Sequence, residues 1–246
     1  MFKKLFAAVG IGGAEVDTQV LSPTLVPGQP FRARIVIRGG SAEQDIEGLE
    51  LRLLSAVEDD EGDVHNPDRS HILARWKLHD RFTLRPGEER IVPFENLLPL
   101  ETPVTAVNCP NNKARVWIDT QLEIDAAIDS SDRDYLRVEP TPAMALVLDS
   151  MAQMGMALHT ADVEKGYCTV QGRRSTSGCY QEFEFRPYHG GRISEVEVTF
   201  LPELHCTHVL LEIDRRFRGD AYRGFTLQHD QLSRQQVQSY LNQILA

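Results

Sequence analysis

Val116-Trp117-Ile118-Asp119-Thr120-Gln121-Leu122-Glu123-Ile124-Asp125-Ala126-Ala127-Ile128 places Val116, Ile118, Thr120, Leu122, Ile124, Ala126 and Ile128 on one parity, and Trp117, Asp119, Gln121, Glu123 and Asp125 on the other. A two-residue period sends successive side chains to opposite faces, so the stretch predicts a long, half-buried strand. Asp129, Ser130, Ser131 and Asp132 follow as a polar break. Extended character resumes from Tyr135 to Val138, until Pro140 and Pro142 stop sheet pairing. The period then changes, because Thr141 can cap a helix and Pro142 can open one at its first position. That helix covers Ala143 to Gln153 and stops near Gly155, a residue suited to the position just past a helix. The reading is one β-body over 1–138, a linker, and a second body over 139–246.

Working back towards the start, Val16, Thr18 and Val20 alternate with Asp17 and Gln19, and Phe31, Ala33, Ile35 and Ile37 alternate with Arg32, Arg34 and Arg38. Ile46, Leu49, Leu51 and Leu53 predict a third strand, Ile72 to Leu84 one unusually long strand, and Ile91 to Phe94 and Val104 to Val107 two short ones. Pro27-Gly28, Gly39-Gly40 and Pro86-Gly87 mark turns between them, the pattern of an antiparallel sandwich. Towards the end, Met154, Met156 and Leu158 open a strand, Phe183 and Phe185 alternate with glutamates, and Gly190-Gly191 turns the chain into Val196, Val198 and Phe200. His205 to Asp214 is a further strand. Ser233 with Gln236 forms a capping box, and Leu232, Val237, Leu241, Ile244 and Leu245 mark an amphipathic tail helix. Such a helix covers a sheet edge, joins a dimer or docks on a partner. The fold class expected is therefore mainly β: two antiparallel β-sandwich domains, with a helix opening the second and another at the end.

Composition narrows the function classes. The net charge is −10, both halves are acidic, and basic runs do not exceed pairs such as Arg173-Arg174 and Arg215-Arg216. Such a surface repels a phosphate backbone, which argues against nucleic acid. Cys109, Cys168, Cys179 and Cys206 are too irregularly spaced for a disulfide framework, and free thiols point to a reducing, cytoplasmic setting. Phe2 to Ile11, with Lys3-Lys4, has the outline of a short signal peptide or of an interfacial membrane anchor. Glycines interrupt its apolar run, and two lysines supply little attraction to a membrane. Packing on the first body is the simpler reading, with membrane anchoring as the alternative class of function.

An ordered series of segments resembles the sporulation-control protein family. It comprises Phe2-Lys3-Lys4-Leu5, Gly10-Ile11-Gly12, Val16-Asp17-Thr18, Pro27-Gly28, Gly39-Gly40 and Trp117-Ile118-Asp119-Thr120 with its continuation to Val138, then Glu182-Phe183-Glu184-Phe185-Arg186-Pro187 and Glu212-Ile213-Asp214-Arg215-Arg216. One departure is Met154-Gly155-Met156, where a Leu-Gly-Phe-like run is expected. The family is similar to arrestins, which implies two β-sandwich domains joined by a short hinge. It also implies a non-enzymatic regulatory or adaptor protein that binds protein partners, needs no cofactor and transfers no catalytic motif.

The candidate sites are weaker. Gly10-Ile11-Gly12-Gly13-Ala14-Glu15 lacks the preceding strand and third glycine of a dinucleotide loop. Glu58 to Asp63 lacks the ligand spacing of a calcium loop and reads as a solvated, self-repelling segment. His205, Cys206 and His208 are zinc-ligand types, but strand alternation puts Cys206 and His208 opposite His205, so at most two share an ion, and no metal is expected. Asp119, Asp125, Arg137, Asp214 and Arg215 interrupt β-rich segments and, on the arrestin likeness, would form a partly buried ion network fixing the angle between the domains. The plainer reading leaves all five facing water.

Overall fold

The computed structural model describes residues 13–58, 69–216 and 219–246. The N-terminal anchor or signal reading, the Gly10-Ile11-Gly12 turn and Asp59 to Asp63 lie outside them. The first half contains β1 (Glu15–Val20), β2 (Pro30–Arg38), β3 (Gln44–Ala56), β4 (Ser70–His79), β5 (Phe82–Leu84), β6 (Glu89–Leu97), β7 (Asn111–Asn112), β8 (Val116–Ile124) and β9 (Ser130–Leu136). Two sheets face each other, β1-β2-β6 against β4-β3-β8-β9 with β5 beside β3. Phe31, Ala33, Ile35 and Ile37 point from one sheet into the same core as Leu49, Leu51, Leu53, Ile118 and Leu122 from the other. The two-residue period read from the sequence thus becomes the inner face of each layer.

Three boundaries differ from expectation. The strand that begins at Val116 ends at Ile124, where Asp129 Oδ1 accepts a hydrogen bond from Ile124 N at 2.9 Å and Ala126 adopts φ 53°. A local side chain-to-backbone bond and one left-handed residue make a tight turn here, so Ser130 to Asp132 belong to the returning strand and are not a break. Trp117 and Asp119 are buried as well, since Arg133 lies over the Trp117 ring and Arg52 bonds Asp119. The long strand Ile72–Leu84 is interrupted after His79, and Phe82–Leu84 pairs with Gln44–Ile46 at the far end of β3. Val104 to Val107 form no strand. Val104 is instead buried in the second core, and its backbone is bound by a side chain of the second half.

The second half contains α1 (Pro142–Gln153), β10 (Met156–Lys165), β11 (Thr169–Val170), β12 (Arg173–Arg174), β13 (Cys179–Pro187), β14 (Ile193–Pro202), β15 (Cys206–Arg215), β16 (Ala221–Gln228) and α2 (Arg234–Leu245). Thr141 Oγ1 accepts from Met144 N at 3.3 Å, Pro142 occupies the first turn, and Gly155 takes φ +83° just past the end. The start and stop residues of α1 act as their chemistry predicts. Ser233 stands at the N-cap of α2 without a side-chain capping bond, so the Ser233/Gln236 capping box is not formed. β16 escapes a periodicity reading because Gly224 and Arg223 interrupt its alternation.

β16-β15-β14-β13-β10 form an antiparallel sheet, extended by β7 running parallel to β10. Phe183, Phe185, Val196, Val198, Val209, Leu211 and Phe225 share a core with Ala143, Met144, Val147 and Met151 of α1 and Val237 and Leu241 of α2. The fold is mainly β, as expected. Across the second core, however, the layer facing the sheet is helical, and a two-stranded pair, β11-β12, stands apart from the large sheet. The opposite face of that sheet carries its charged residues.

Candidate functional site

The five ionic residues expected to form one network do not meet. Asp119 pairs with Arg52 across β3 and β8 inside the first half, Arg52 Nε donating to Asp119 Oδ2 at 3.1 Å. Arg137 pairs with Glu139 at 2.8 Å on an exposed side chain. Asp125 is exposed, and its backbone N donates to Asp45 O. Asp214 accepts from Ser194 Oγ at 2.8 Å at the edge of the sheet's charged face, while Arg215 Nη2 reaches the Ile244 carbonyl at 3.4 Å. Strand alternation gives charge and side, but it does not give the partner.

The polar contacts between the halves involve other residues. Glu101 takes three donors of the turn before β13: Thr176 N at 2.9 Å, Thr176 Oγ1 at 2.8 Å and Ser177 N at 2.8 Å. Gln181 holds both backbone groups of Val104, at 2.7 and 2.8 Å, and His71 Nε2 donates to the Ser177 carbonyl at 2.5 Å. Lys113 Nζ stands 3.0 Å from Glu58 Oε1 and 3.6 Å from Asp162 Oδ2. Burial pushes the Asp162 carboxyl up to about 6, against the pull of Lys113. Glu58, Asp162 and Glu164 converge closely enough to hold a cation, and the Lys113 ammonium already supplies the positive charge there. A small apolar cluster of Ala114, Val163 and Cys179, with Val57 and Leu73 against it, backs this joint. Glutamate or glutamine in a strand-and-loop sequence carries no periodic signal, which is why sequence reading missed Glu101 and Gln181.

The second feature is the charged face of the large sheet. Register places Glu184, Glu197, Glu212 and Tyr222 side by side across β13, β14, β15 and β16, with Glu195 beside Asp214 in the next rank. Glu195, Glu197, Glu212, Asp214 and Asp220 line a shallow groove. Burial, then the Glu197 charge and other carboxylates, raises Glu182 to about 8; burial, then Glu212, raises Glu197 to about 7. Like charges in adjacent strands cannot all ionise without cost, so part of this face holds protons near neutrality. Arg186 offsets Glu195 at 2.6 Å at one end of the face.

The tail helix is used within the chain. Val237 and Leu241 are fully buried, Ile244 and Leu245 pack partly buried against the same core, and Tyr240 stacks on Phe225 with ring centroids 4.9 Å apart. It lies on the core face of the sheet and not along an edge. Around the histidine and cysteine set, alternation holds: Thr207, Val209 and Leu211 enter the core, while Cys206 and His208 turn to the other side and His205 is exposed. Burial, then the Glu203 carboxylate, pushes the Cys206 thiol up, with Arg173 opposing.

Comparison with known proteins bears on both halves. A family model described as SpoOM protein matches residues 2–217. The sporulation-control protein spo0M of Bacillus subtilis is 35% identical over 224 residues, covering 89% of this chain and 82% of that protein. The crystal structure of Spo0M from Bacillus subtilis superposes with a TM-score of 0.83 at 29% identity, covering 96% of this chain and 98% of that one.

Proposed function

The chain belongs to the SpoOM protein family, and on that premise we propose that it is a non-enzymatic regulatory adaptor, of the sporulation-control kind, that works by binding other proteins. We take it as two bodies meeting near Val138 and Glu139, acting in the cytoplasm and without a cofactor. The observation that carries the reading is the carboxylate-lined face of the second sheet. A regular, wide, one-sided surface with its apolar face fully used by α1 and α2 is suited to recognition, and its charge selects a partner segment rich in lysine or arginine. The same charge disfavours anionic lipid and nucleic acid. The tail helix, with Val237 and Leu241 spent in the core, supports this indirectly by rigidifying the sheet from behind.

The test is a comparison of partners captured by the intact protein and by a Glu212→Gln, Asp214→Asn, Asp220→Asn variant. Glu212 and Asp214 bond only hydroxyl partners among the contacts described, so neutralising them leaves the core intact. Loss of specific partners, with the remaining binding weakened by added salt, is the expected result. Identical captured sets from the two proteins would remove the acidic face from the function.

A further inference from the structure

Three side chains at the start of β15 converge on one point. Glu203 N donates to the Cys206 carbonyl at 2.8 Å, closing a turn that brings the Glu203 side chain back beside the strand. Cys206 Sγ lies 3.6 Å from His208 Nε2 and 3.8 Å from Glu203 Oε2, and Glu203 Oε1 lies 3.6 Å from His208 Nε2. A tetrahedral zinc ion, with bonds of about 2.3 Å to sulfur and about 2.0–2.2 Å to nitrogen and oxygen, keeps its ligand atoms about 3.4–3.6 Å apart. The sulfur–nitrogen distance meets that spacing, and the carboxylate turns one oxygen towards each of the other two ligands. One carboxylate oxygen, Sγ and Nε2 all lie within 4.8 Å of one another, so a small turn of the Glu203 carboxylate completes the triangle such an ion requires.

The hydrogen bonds behind the histidine fix its tautomer. Gln171 Nε2 donates to the Gly224 carbonyl at 3.0 Å, which orients the amide so that Oε1 accepts from Thr226 Oγ1 at 2.6 Å. The Thr226 hydroxyl proton is committed to Gln171, so Thr226 Oγ1 is the acceptor in its 2.8 Å contact with His208 Nδ1. Nδ1 carries the ring proton, and Nε2 presents its lone pair to Cys206 and Glu203. A metal-binding imidazole needs this outer support. A nucleophile–histidine–acid relay would instead put the carboxylate on Nδ1, whereas here thiol and carboxylate both face Nε2. Arg173 Nε, 3.8 Å from Glu203 Oε1, belongs to a largely exposed side chain that is free to turn away.

We propose that Glu203, Cys206 and His208 form a binding site for a divalent zinc-class ion, with three protein ligands and a fourth position open to water. The mixed sulfur, nitrogen and oxygen set suits zinc or cobalt over magnesium or calcium, which favour all-oxygen shells. The site ties the turn between β14 and β15 to β15 itself and, through Thr226 and Gln171, to β16 and the turn between β11 and β12. It does not depend on the adaptor reading.

The experiment uses the purified full chain, stripped with a chelator and then titrated with zinc, and separately with cobalt. Expected results are one zinc retained per chain and, with cobalt, a thiolate-to-metal absorption band that disappears in Cys206→Ala. Glu203→Gln and Thr226→Val should weaken zinc binding by about tenfold or more, while Cys109→Ala leaves it unchanged. Glu203 in the turn before β15 and Cys206 at the first position of β15 are both half-buried, so their variants should keep the far-ultraviolet spectrum of the native protein and remain interpretable if His208 variants fail to fold. Failure of the native chain to retain stoichiometric zinc, or equal zinc affinity in Cys206→Ala, would overturn the proposal.

Discussion

Asp119 shows what a single charged residue in a strand can mean. Its alternation with Ile118 and Thr120 suggests an outward carboxylate, yet it is only 8% exposed, because Arg52 stands directly across the ladder and donates to it. A charge removed from water stays tolerable while its partner is present, and removing one member strands the other. Asp119→Asn is therefore expected to destabilise the chain by about 2–3 kcal/mol, somewhat under the range for a fully buried pair since both side chains keep some exposure. Asp214→Asn, which alters an exposed bond from Ser194, should stay within about 0.5 kcal/mol. Denaturant midpoints of the two variants decide this, and equal midpoints would place Asp119 among ordinary surface charges.

At the scale of the element, the large sheet is a surface whose two faces solve different problems. One is closed by α1 and α2; the other brings carboxylates into adjacent ranks. Glu182 and Glu197, raised to about 8 and about 7, titrate above the ordinary glutamate value of about 4.3 that the unfolded chain retains. The folded form thus binds more protons between those values. Their contribution to stability is fully present below about pH 4 and is lost as pH rises through 7 and 8. Glu182→Gln should flatten that decline and stabilise the chain by about 1–2 kcal/mol at pH 8.5 relative to the native sequence, after allowance for solvent screening. Unfolding midpoints at pH 5.5 and pH 8.5 test it; parallel pH profiles for the two proteins would count against it.

At the scale of the molecule, the joint between the halves is polar and local. Glu101 holds three donors of the Thr176–Ser177 turn, and Lys113 sits between Glu58 and Asp162. Interfaces of this kind, with a small apolar centre, permit relative movement once their bonds are cut. The double variant Glu101→Ala, Lys113→Ala is expected to increase the radius of gyration in solution scattering and to speed amide exchange at Thr176 and Ser177, with both cores still folded. Scattering curves that overlay those of the native chain would show that apolar contact and the Gln181–Val104 bonds suffice.

Alternation, turn residues and the Thr141-Pro142 start signal are local properties, and through them the sequence by itself determined a mainly β chain, most of the strands lining each core, though not β16, and the position of α1. The halt of the strand at Ile124, the break after His79 and the burial of Val104 depend on what pairs across space. So do the choice of Arg52 for Asp119, the gathering of carboxylates on one sheet face and the meeting of Glu203 with Cys206 and His208. Only the tertiary structure decided those, because a side chain's period fixes the face it turns to, while its partner is set by the register of strands far away in the chain.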